Sequence, residues 1–131
     1  MTLSISTALN EARLEGTKTF LDAGAGFARI RVYDGTRPAN GAAISGPVLL
    51  VEIALDKPCG AVAAGVLTLA ANTLSLIGNS GDATWARIIN GDAQFVMDAD
   101  VSLVAGSGDI KLEDTALLAG GRAVLISGVL G

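Results

Sequence analysis

From Gly26 onward, apolar residues recur at every second position, in short runs cut by Gly, Asn, Asp and Pro. That period constrains the fold most, because successive side chains of a strand point to opposite faces. Phe27–Tyr33 puts Ile30 and Val32 on one face and Arg29, Arg31 and Tyr33 on the other. Asp34-Gly35 ends this run, and the stretch from Thr36 to Gly41 is dense in turn residues. Pro47–Leu55 follows, with Leu49, Val51, Ile53 and Leu55 toward the core and Glu52 outside. Asp56–Gly60 reads as a turn. Further strands are expected near 65–70, 73–77, 83–89, 93–97, 101–104, 109–112 and 122–127. Ala70–Asn72 reads as a turn between two of them, and Asn90-Gly91-Asp92 is a hairpin signal. Eight or nine short strands at this spacing predict a mainly β domain, an antiparallel β-sandwich or jelly roll at 26–131. Trp85, with Ile88, Phe95 and Met97 across the hairpin, is the expected centre of its core.

Residues 1–25 read differently, as an N-terminal helical arm. Over about 5–23, Ile5, Leu9, Ala12, Gly16, Phe20 and Ala23 share one stripe at 3.6 residues per turn. This stripe is the expected buried face. Ser4 or Ser6 can cap the start and Gly24 can stop the end. Gly16 either permits close approach of another backbone or breaks the segment, since glycine costs about 1 kcal/mol in a helix interior. Leu14 and Leu21 point to the opposite side and are expected to contact a second chain.

Composition removes several function classes. There is no His, so Ser–His and Cys–His catalysis are excluded. One Cys without His builds no zinc site, iron–sulfur cluster or internal disulfide. Cys59 reads as a small buried hydrophobe. Paired carboxylates remain, at Asp98 and Asp100 and at Glu113 and Asp114, but all sit among turn residues where Asp bonds its own backbone. Asp92, Asp98, Asp100 and Asp109 do not match a calcium loop. The glycine pairs Gly24/Gly26 and Gly106/Gly108 match no phosphate-binding motif. No catalytic residue, metal or cofactor is expected.

Length and charge bear on partners. A chain of 131 residues is expected to form one domain and to bury about two-thirds of its unfolded surface. Residues 1–60 carry six basic and six acidic groups, whereas 61–131 carry three basic and seven acidic, which accounts for the net −4. An acidic half without a basic stripe argues against nucleic acid. Pro58–Gly81 is uncharged, but its leucines alternate with small or polar residues, so strands rather than a membrane helix are expected. The first sixteen residues lack a basic region and an apolar core, so no signal peptide is expected and synthesis is assigned to the cytoplasm. Only 17% of residues are charged, and mean hydropathy is +0.53. Both point to surface buried against other chains.

The stretch Ile30-Arg-Val-Tyr-Asp-Gly-Thr-Arg-Pro38 carries a resemblance, together with Leu49–Leu55, Gly65–Leu69, Ala83–Ile88 and Gly91-Asp92. It resembles a family of small tailed-phage and prophage proteins with an N-terminal helix, a YDGTxP-type strand-turn and repeated short strands. The resemblance covers most of 5–131 and implies a non-enzymatic virion structural protein. In that role a compact β module looks like a capsid decoration or cement protein. Its partners would be the major capsid protein or other virion subunits, as a dimer or trimer. A tail or tail-fibre adaptor is the alternative. A carbohydrate-binding module using Trp85 and Tyr33 is more distant. The expected contact residues are Leu14, Gly16 and Leu21 on the helix and Arg29, Arg31 and Tyr33 on the first strand.

Overall fold

A computed structural model describes residues 4–39, 41–71 and 75–130. In chain order the elements are α1 (Thr7–Leu21), β1 (Arg29–Tyr33), β2 (Leu49–Ala63), β3 (Val66–Ala71), β4 (Ser75–Leu76) and β5 (Gly81–Asp82). They continue as β6 (Trp85–Ile89), β7 (Phe95–Leu103), β8 (Ile110–Leu112), β9 (Ala116–Leu117), β10 (Arg122–Ala123) and β11 (Leu125–Leu130). The protein is mainly β with one N-terminal helix. Where a sandwich or jelly roll was expected, seven strands close into a barrel in the order β1-β2-β3-β11-β8-β7-β6. Closure follows from β6 pairing with both β1 and β7, while β11 bridges β3 and β8. The β7–β8 pair is parallel and the other barrel pairs are antiparallel.

Alternation sorts each strand into an inner and an outer set. Ile30 and Val32 of β1 face Ile88 and Ala86 of β6 and Ile53 and Val51 of β2, all buried. Leu67, Ile110 and Leu112 complete an aliphatic interior at 0% exposure. β2 departs from strict alternation. Val51 pairs with Val32, but Leu49 pairs with Tyr33, so Leu50 is an extra residue. The bulge buries Leu50 and leaves Leu49 37% exposed, the reverse of the expected phase. Asp56–Gly60, expected as a turn, lies inside β2, where Asp56–Cys59 form a second irregularity, since Leu55 pairs with Ala71 and Gly60 already with Leu69. Pro58 sits where no ladder bond is required of it. Ala70 and Ala71, expected in a turn, belong to β3 instead; Asn72 and Leu74 lie outside the described residues.

Both ends of the barrel are covered. At one end lies α1, capped by Ser6, whose Oγ accepts from Leu9 N at 3.0 Å. The helix is continuous through Gly16, so the expectation of a break there does not hold. Its faces are the reverse of those expected. Leu14 and Leu21 are 7% and 0% exposed and join the barrel core, while Leu9 and Phe20 are 50% and 44% exposed. Polar anchors on the inner side set this rotation. Asn10 Nδ2 donates to Gly65 O at 2.8 Å, and Glu11 Oε1 accepts from Gly65 N at 3.2 Å. Asp22 Oδ1 accepts from Cys59 N at 2.8 Å, and Lys57 Nζ donates to Gly24 O at 2.6 Å. The Asp56–Cys59 irregularity is thus what holds the end of the helix.

The Asn90–Asp92 turn lies against the segment after α1, because a Cβ on Gly91 would strike the carbonyl oxygens of Ala23 and Gly26. The opposite end is closed by β4 with β10 and β5 with β9. Ile77, Leu117 and Ala123 there join the same buried cluster as Leu50. Among the described residues no helix is long and apolar enough to cross a membrane.

Candidate functional site

Alternation places Trp85 and Arg87 of β6 on the outside of the barrel, with Arg29, Arg31 and Tyr33 of the adjoining β1. Trp85 is nevertheless 1% exposed and Tyr33 8%. Their rings stack with centroids 4.7 Å apart and planes 14° from parallel. The cover is the chain between β1 and β2, which folds back over them. Trp85 Nε1 donates to Asp34 O at 3.0 Å, and Val48 N donates to Asp34 Oδ1 at 2.6 Å. Gly35 takes φ 73°, which favours glycine, and its carbonyl accepts from Thr84 Oγ1 at 2.7 Å. Asp34 and Gly35, at the end of the first strand, thus fasten the chain that covers Trp85.

Arg87 is the centre of this outer layer. Its Nε and Nη2 donate to Asp98 Oδ1 and Oδ2 at 2.8 and 3.0 Å, and Nη2 also donates to Ala42 O at 2.9 Å. The Asp98 side chain is only 2% exposed. The guanidinium also lies 5.7 Å from the Trp85 ring centroid and 5.1 Å from that of Phe95. The hydrogen bonds to Asp98 hold the Arg87 pKa above its ordinary value. Gly41 N adds a donation to Asp98 Oδ2 at 3.3 Å. The result is a satisfied structural network: Asp98 is committed to Arg87, and Asp100 points outward toward Arg37 at 3.4 Å. The two carboxylates therefore have different partners.

The expectation that Trp85, Ile88, Phe95 and Met97 form one central core is corrected. Ile88 faces Met97 inside the barrel, whereas Trp85 lies outside it and Phe95 is 37% exposed. The signal was present in the sequence, since Trp85 and Ile88 are three apart and so point to opposite faces of a strand.

The expected contact residues scatter. Leu14 and Leu21 are buried in the core, so neither offers a surface to a second chain. Tyr33 is covered by its stack with Trp85. Arg29 and Arg31 remain about one-third exposed and both pair with Glu52, at 3.6 and 2.7 Å. Gly16 is exposed, and among the described residues nothing beyond its own helix comes within 4 Å of where its Cβ would stand. Trp85 and Tyr33 also offer no open platform for a sugar ring.

Cys59 is fully buried, and burial together with the Asp22 carboxylate pushes its thiol up to about 12. That environment is the opposite of one that activates a nucleophile. An open groove of about 410 Å³ runs between α1 and the barrel end, lined by Asn10, Arg13, Leu14, Thr17, Met97, Asp109 and Leu130. Among the described residues no three Cys, Asp or Glu side chains converge as a metal-binding group. No protein-family model, curated protein or solved structure matches the chain.

Proposed function

We propose that this chain is a non-enzymatic virion structural protein of a tailed phage or prophage, located in the virion, where it decorates or cements the capsid lattice. The observation that carries the reading is where the apolar surface lies. Ile5, Leu9 and Phe20 are at least 41% exposed along one side of the N-terminal segment. Leu76, Val104 and Leu118 are 58–71% exposed at the other end of the barrel. A closed barrel with apolar surface at both ends suits a subunit set between neighbours, the major capsid protein or other virion subunits. Each contact gains about 25 cal/mol per Å² of apolar area buried, less the cost of association. Repetition over a symmetric lattice then compounds modest single contacts. The tightly bonded layer around Arg87 supports the same reading, since its polar groups serve the fold rather than a substrate.

Quantitative mass spectrometry of purified particles tests this. A copy number comparable to that of the major coat subunit is the expected result. A far smaller number would move the protein to the tail or fibre apparatus, and absence from particles would overturn the virion reading.

A further inference from the structure

We infer that the outward face of α1 is a self-association surface, on which two copies of this chain pair with their helices parallel. The face consists of Leu9, Ala12, Gly16 and Phe20, and it lies opposite the buried Leu14 and Leu21. Leu9, Ala12 and Gly16 follow the three–four spacing of a helix seam. At Gly16 no described residue beyond its own helix stands within 4 Å of where a Cβ would be, so a second helix axis can approach closely there.

The flanking charges decide both the occupant and its direction. At about 100° per residue, Arg13 lies about 70° to one side of the Leu9–Gly16 midline and Glu15 about 90° to the other. Both are exposed, and neither forms an ion pair among the described residues. A two-fold axis running along the helices sets the Arg13 flank of each copy against the Glu15 flank of the other. An antiparallel pair would instead set Arg13 against Arg13 and Glu15 against Glu15. The face is thus complementary to itself in the parallel arrangement, with one barrel on each side of the helix pair. This inference goes beyond the proposed function and needs no virion, so the purified protein tests it alone.

Sedimentation equilibrium should give a dimer for the wild type and a monomer of unchanged circular dichroism for Leu9→Asp. Arg13→Glu and Glu15→Arg should each weaken association about tenfold, through two rim pairs turned repulsive. The double variant Arg13→Glu/Glu15→Arg should restore it. Ala12→Cys and Gly16→Cys should both cross-link to their own copies under mild oxidation, because a parallel pair sets each seam position opposite itself. Cys59, buried, gives no background in that assay. A monomeric wild type at about 0.1 mM would overturn the inference. So would a dimer that survives Leu9→Asp, a double variant that fails to restore association, or cross-linking at only one of the two seam positions.

Discussion

Ile30 and Ile88 meet on the inner side of the β1–β6 ladder, while Tyr33 and Trp85 meet on its outer side. Both pairs are buried, yet different forces hold them. The inner pair belongs to an aliphatic interior, where stability comes from apolar area and close packing. The outer pair sits beneath a returning loop that is fastened by directional bonds from Asp34, Thr84, Arg87 and Asp98. Area burial tolerates conservative change, because the loss scales with the atoms removed. A bonded network does not, because removing one member leaves its partner buried and unsatisfied.

That contrast orders the expected effects. Arg87→Met strands the Asp98 carboxylate, whose side chain is 2% exposed, and should cost about 3–5 kcal/mol in urea denaturation. Adding Asp98→Asn to it should recover part of the loss, and no recovery would mean that Arg87 acts through packing alone. Ile88→Ala should cost about 2–5 kcal/mol from inside the barrel. It should leave the loop at 41–48 resistant to thermolysin under native conditions, whereas Arg87→Met should open it. Trp85→Phe keeps the stacked ring but removes the donor to Asp34 O, for a loss of about 1–3 kcal/mol.

The smallest effect concerns pH and the far end of β2. The Cys59 thiol is raised from 9.0 to about 12 in the folded chain, so folding favours its protonated form. Its contribution is complete below about pH 9 and is lost as pH rises toward 12. The stability difference between wild type and Cys59→Ala should therefore change only above pH 9, and a flat difference there would contradict the burial.

How much of this was legible in the sequence depended on how local the cause was. The Asn90–Asp92 turn was readable because its chemistry is self-contained: Asn90 Oδ1 accepts from Asp92 N and Gln94 N. The β1 alternation and the Ser6 cap were readable for the same reason. The rotation of α1 was not, because the longer apolar stripe faces out, and distant partners at Gly65 and Cys59 fix the inner face. Barrel closure rests on β3 pairing with β11, Leu67 opposite Leu130, which no local pattern specifies. The layer around Trp85 was half legible. Alternation puts Trp85 and Arg87 on one face, although Trp85 was expected in the core, and the loop that returns to cover them lies outside any strand period.

Native-state hydrogen exchange tests most directly the claim that interior and outer layer are separately held. The amides of Gly41 and Val48, bonded to the Asp98 and Asp34 carboxylates, should exchange through a local opening of low free energy. The amides of β1 and β6 that form the shared ladder should exchange only by global unfolding. One common free energy for both sets would contradict the account and make the loop an inseparable part of the barrel.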